Sequence, residues 1–246
     1  MKKILPLLFS VVIISCNNTA ENTKTAEVRE TASTTETYPN DWQLMQLNNK
    51  VQTFIDTAYR ALIENGQWRI TGPTWDGITT YQFSENGWLT EKTENGYGNI
   101  TKTVYQNNNE KNSGYILYKN NVLKNRVVRT WINPKQYTDS IFTIDNKRDT
   151  TGLLTEIQTV SLDNSFRINT IFHEPLGPHA GERPITMMEY RDMETIITKQ
   201  LAGNPTPEMT NINIQEYNQE RNPVLTKETT ANGKILRLHL LGYTYY

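Results

Sequence analysis

Four groups of residues in this 246-residue chain have types and spacings that bear on chemistry. His173, Glu174, His179 and Glu182 fall in one loop, FHEPLGPHAGE. Two imidazoles and two carboxylates are ligands for Zn²⁺ or a similar ion. Their spacing follows no ligand rule and Gly and Pro make the loop pliant, so a polar surface loop is the preferred reading. Trp68 and Trp75 flank Gly72-Pro73 and, with Trp88 and Trp131, are rings of the kind that stack on sugars. In an all-β chain most such rings pack the sheet instead. Glu156 with Glu189, and Asp139 with Asp145, are candidate carboxylate pairs. A glycosidase holds two carboxylates roughly 5 to 10 Å apart across a cleft. Nothing in the sequence brings these together, and they read as solvated strand residues. The chain has no Ser-centred elbow, Gly-rich phosphate loop or HExxH helix. No catalytic or metal-binding residue is assigned, and no cofactor is expected.

The fourth group is Cys16, the sole cysteine, and the residues before it. Lys2-Lys3 is followed by an apolar run over residues 4–14. A membrane-spanning helix needs roughly 20 apolar residues, so this run has the size of a secretory core rather than an anchor. It ends Ile13-Ile14-Ser15-Cys16, which resembles the lipobox of bacterial lipoproteins. The resemblance implies cleavage before Cys16, a diacylglycerol on its sulfur and a fatty acid on the new amino group. Each buried methylene contributes about 0.8 kcal/mol, so two or three acyl chains anchor stably where one does not. Cys16 is therefore the expected lipid attachment site, and the membrane the expected partner. Asn17, in place of Asp, does not favour retention at the inner membrane by the enterobacterial sorting pattern.

Charge argues against nucleic acid as a partner. Losing Lys2 and Lys3 with a leader that has no acidic residue takes the 25 basic side chains to 23 against 26 acidic ones, a net of −3. Duplex binders present a basic stripe that displaces counterions. Here only Lys119, Lys124, Arg126 and Arg129 cluster, and they read as solvated strand faces. Hydrophobic residues make up 36% of the chain and mean hydropathy is −0.64, which suits an open β-structure better than a compact α/β enzyme.

These residues must be positioned by strands. One phrase recurs: Gly87-Trp88-Leu89-Thr90, Gly98-Asn99-Ile100-Thr101, Gly152-Leu153-Leu154-Thr155 and Pro223-Val224-Leu225-Thr226. Asn-Gly or Asn-Asn pairs at 65–66, 86–87, 95–96, 120–121 and 232–233 supply hairpin turns, because both residue types accept positive φ. Turns every 8 to 12 residues between short alternating strands mark an all-β chain. Residues 1–15 read as a leader and 16–40, rich in Thr, Asn and Glu, as a disordered tether. Residues 41–246 read as one domain, with a short helical or irregular opening and a first strand from about Val51. Consecutive hairpins at irregular spacing predict an extended, curved antiparallel β-meander with one wet face.

Over residues 81–105 the wording resembles the YD-repeat (RHS-like) family: Phe83-Ser84, Gly87-Trp88-Leu89-Thr90, then Tyr97-Gly98-Asn99-Ile100-Thr101. A weaker copy is Tyr217-Asn218 with Val224-Leu225-Thr226. The whole chain is similar to lipid-anchored RHS-like proteins of Bacteroidota-type bacteria. The family's Asp after the aromatic is Ser84 or Asn218 here, and the regular period is lost mid-chain. The resemblance implies a wrapping β-sheet without catalytic residues, so no site residue transfers. The expectation is a non-enzymatic outer-membrane lipoprotein, a scaffold or binding module with an envelope protein or glycan partner, facing either the periplasm or the cell surface. The alternatives are a half-barrel lipid or lipoprotein carrier, a carbohydrate-binding or carbohydrate-active surface protein, and an integral outer-membrane barrel suggested by the aromatic end Tyr243-Thr244-Tyr245-Tyr246.

Overall fold

The computed structural model describes residues 37–246 apart from 66, 109–110, 146–150 and 205. Cys16, the leader and most of the expected tether lie outside the described residues. A four-residue helix, α1 (Asp41–Leu44), precedes fourteen strands. They are β1 (Val51–Glu64), β2 (Gln67–Phe83), β3 (Leu89–Gly96), β4 (Asn99–Asn107), β5 (Asn112–Lys119), β6 (Val122–Asn133) and β7 (Gln136–Thr143). There follow β8 (Leu153–Leu162), β9 (Ile168–Pro175), β10 (Ile185–Arg191), β11 (Glu194–Gln200), β12 (Glu208–Tyr217), β13 (Pro223–Thr230) and β14 (Ile235–Tyr245). Each strand pairs antiparallel with its neighbours in sequence, and β14 pairs with β1 through Phe54↔Tyr243, Asp56↔Leu241 and Ala58↔His239.

The sheet is therefore a closed barrel, not the open meander expected from the hairpins. Closure gives the backbone groups of the first and last strands partners that an open sheet would leave exposed. All four copies of the repeated phrase lead into strands, at the starts of β3, β4, β8 and β13. Asn120 and Asn121 turn with φ of 50° and 61°, as hairpin chemistry requires. One turn differs from expectation. β3 runs through Asn95-Gly96, and the turn falls on Tyr97-Gly98 (φ 48° and 73°). The Trp68–Trp75 stretch is the first half of β2, joined to β1 with register shifts on either side of the Tyr59↔Pro73 pairing.

Side chains of directly paired residues share a face, which fixes the inside of the barrel. One mouth is stoppered by residues 38–48. Asn40 caps α1, accepting from the Gln43 backbone N–H at 3.0 Å while the Gln43 side chain accepts from the Asn40 N–H at 2.9 Å. On one flank Trp42, Met45 and Leu47 pack on Val51, Phe54, Phe83 and Leu89. On the other, Tyr38 and Leu44 pack on Trp131, Tyr137, Val160 and Leu162. Burying a side chain of this size contributes about 1.5–3 kcal/mol. Hydrogen bonds tie the plug to turns around the rim: Asn40 Nδ2 to Asn86 O (3.0 Å), Gln46 Nε2 to Ser165 O (3.1 Å) and Asn48 N to the buried Asn222 Oδ1 (2.7 Å). Tyr38 and Asn40 thus belong to the folded body, not to the tether in which the sequence places them.

Candidate functional site

At the end of the lumen away from the plug lies a cavity of about 490 Å³. Its wall begins two residues beyond Phe54, with Asp56 and Ala58 of β1. Thr79 and Tyr81 come from β2, Glu94 from β3, Asn99 and Thr101 from β4, and Lys119 from the end of β5. Arg237 and His239 complete it from β14. The period-two alternation of six adjoining strands aims these groups at one space. The floor is a ladder of rings, Phe54 stacked on Tyr81 at 4.9 Å and on Tyr243 at 5.1 Å.

His239 organises the charge. Its Nδ1 faces both Asp56 oxygens at 2.9 and 3.2 Å, and its Nε2 faces Glu228 at 3.6 Å. Burial pulls the imidazole pKa down, but the contacts with Asp56 and Glu228 outweigh it and push the value up to about 9. The ring is therefore a cation at neutral pH. The His239 imidazole facing it, with Arg237 nearby, holds Glu228 below the ordinary carboxylate range. Glu94 accepts from Lys92 Nζ at 2.9 Å. Burial, and then the charges of Asp56 and Glu94, raise the Tyr81 pKa, so its phenol remains a neutral donor. The cavity combines three cations, two engaged carboxylates, hydroxyls and an amide, which is a lining for recognising a polar molecule.

A second buried polar group lies under the plug. Arg129 donates to both oxygens of Asp139, each at 2.8 Å, and its guanidinium stacks on Tyr137 at 3.8 Å. Asp41 of α1 accepts from the Leu89 N–H at 2.7 Å. Burial raises the Asp41 carboxyl to about 6, against the lowering effect of the Leu89 bond and of Arg129.

The groups singled out in the sequence mostly separate. His173 turns to Glu156 at 2.7 Å, while Glu174 lies on the opposite side of β9 and faces Arg183 at 3.6 Å. The side chains of His179, Trp68 and Trp75 lie outside the described residues, and among the described residues no group of three His, Cys, Asp or Glu is placed to hold a metal. Trp88 and Trp131 are buried, as sheet packing predicts. Glu156 and Glu189 have different partners, His173 and Arg191, and Asp139 is locked to Arg129. The basic cluster splits across the wall. Arg126 lies over Phe142 on the outer face, Arg129 is buried inside rather than solvated, and Lys119 reaches the cavity. Asp56, Arg237 and His239 went unnoticed in the sequence. Their signal was the alternation Leu236-Arg237-Leu238-His239-Leu240, which puts charge on one face and aliphatic side chains on the other.

No protein family matches this chain, and no curated protein or solved structure does.

Proposed function

We propose that this chain is a lipid-anchored protein of the bacterial outer membrane whose barrel is a non-enzymatic binding module, taking a small polar molecule at its open mouth. The observation that carries the binding reading is the cavity: about 490 Å³, within the range of small-molecule sites, and lined by convergent polar groups from six strands. The lining is charged and hydroxylic rather than aliphatic, which argues against a carrier for acyl chains. The anchor rests on the sequence at Cys16. A ligand that binds the folded chain raises Tm in proportion to its occupancy. A thermal-shift series with neutral sugars and small organic ions is expected to find ligands that stabilise the full chain. A Thr101→Trp variant, which fills the cavity, is expected to lose that stabilisation, and an unchanged response would sink the reading.

A second reading is an integral outer-membrane barrel. It is favoured by the even number of antiparallel strands and by the exposed Leu236 and Leu240 of β14, which alternate with lumenal Arg237 and His239, although Leu238 between them is buried. Against it, the outer face elsewhere carries Lys102 paired to Glu91 at 2.6 Å, Arg126, and the exposed pair Glu189–Arg191. Membrane fractionation of a Cys16→Ser variant separates the two. A lipoprotein becomes soluble, whereas an integral barrel stays in the membrane.

A further inference from the structure

The carboxylates of the cavity already have cations. Asp56 is held by His239 at 2.9 Å, and Glu94 by Lys92 at 2.9 Å. Lys119, on the same wall, has no ion-pair partner among the described residues and is exposed to the cavity. Arg237 lies 3.8 Å from Glu228 and brings a planar fork of N–H donors. Thr79 and Thr101 add hydroxyls from β2 and β4, and Asn99 adds an amide. A cationic ligand would find each acidic group occupied. An anionic one would find an unmatched ammonium, a guanidinium and neutral donors.

We infer that the open-mouth cavity is a site for a small molecule bearing an oxyanion, a phosphate or a carboxylate, held by Lys119 and Arg237 and flanked by Thr79 and Thr101. The inference rests on the binding reading above and names its ligand class. Lys supplies a point charge and Arg a fork that matches two oxygens of one oxyanion. The pair comes from β5 and β14, on opposite sides of the β1–β4 wall that lines the cavity, so only a ligand within the lumen meets both.

The test is isothermal titration of the full chain in detergent at pH 7.5, with chloride holding ionic strength constant. The probes are inorganic phosphate, acetate and, as a neutral control, glucose. Saturable binding of phosphate or acetate is expected, and the tighter of the two assigns the oxyanion. Lys119→Ala is expected to weaken it about tenfold, while Lys119→Arg, which keeps the charge, holds it within about threefold. Lys119 is exposed, so its loss does not threaten the fold. Oxyanion binding that is indifferent to Lys119→Ala overturns the inference. Glucose binding with no oxyanion binding also overturns it but leaves the binding reading standing, whereas no binding by any probe overturns both.

Discussion

His239 and Asp56 stand 183 residues apart in sequence and meet at 2.9 Å across the β1–β14 seam that closes the barrel. The folded imidazole has its pKa at about 9, above the ordinary 6.5. A group whose pKa rises on folding stabilises the fold fully below its unfolded value and loses that contribution as pH climbs through the folded one. Stability should therefore fall between about pH 6.5 and pH 9. Solvent screening limits the loss to about 1 kcal/mol, or roughly 2–4 °C in Tm for a chain of this size. His239→Gln should flatten that part of the curve. A wild-type Tm that is level across this range would refute the assignment.

Arg129 and Asp139 form the deepest ion pair among the described residues, with side chains only 9% and 5% exposed. Burial works to discharge the guanidinium, but the bonds to Asp139 hold it charged. Removing one partner leaves a buried charge without its counterion, which costs about 3–5 kcal/mol. Arg129→Met should show this loss in urea denaturation. The double variant Arg129→Met/Asp139→Leu, which removes both charges, should recover most of it. A single variant as stable as wild type would mean that the pair is not buried as described.

The plug should loosen as pH rises. Asp41 is 6% exposed, and its carboxyl moves from the ordinary 3.8 to about 6 on folding. Its contribution is complete below pH 3.8 and is lost as pH climbs through about 6. That interval corresponds to roughly 3 kcal/mol. Limited proteolysis between residues 37 and 50 should therefore be faster at pH 7.5 than at pH 5. Asp41→Asn keeps an acceptor for the Leu89 N–H but does not titrate, and should cut at the same rate at both values. A pH-dependent rate in that variant would place the switch elsewhere.

Two glycines of the repeated phrase should respond differently to Ala. Both have positive φ, 82° at Gly87 and 73° at Gly98. That strain alone costs about 1 kcal/mol. A Cβ at Gly98 meets nothing within 4 Å, whereas at Gly87 it would lie 2.6 Å from the Trp42 ring. Gly98→Ala should cost only the strain. Gly87→Ala should cost more and displace the plug, shifting Trp fluorescence to the red. Equal losses in chemical denaturation would show that the plug does not press on this turn.

The strands were legible locally because their signals are local. The Gly-x-Leu-Thr phrase, the Asn-Asn turn at 120–121 and the start of β1 at Val51 all follow from turn chemistry and period-two alternation over a few residues. The helix over 41–44 was only half legible: the sequence allows a helical or irregular opening, and the capping residue Asn40 falls within the expected tether.

The candidate site was not legible, because alternation shows that two faces differ and not which one is inside. In β14 the sequence separates Arg237 and His239 from Leu236, Leu238 and Leu240. Hydropathy alone would turn all three leucines toward a core, yet only Leu238 is buried, Leu236 and Leu240 are exposed, and the charged face lines the cavity. That choice follows from closure. A barrel of this strand number is wider than the side chains of its wall can fill. At one mouth the space is taken by residues 38–48, whose apolar side chains pack on two clusters beside the buried Arg129–Asp139 pair; at the other it stays open, and paired charges such as His239–Asp56 line it. The sequence by itself determined an antiparallel all-β chain and turns such as Asn120-Asn121, though not the one at Tyr97-Gly98. Only the tertiary structure decided that β14 returns to β1, that Tyr38 and Asn40 belong to the plug, and that Lys119 and Arg237 share one cavity, because each depends on contacts between residues far apart in the chain.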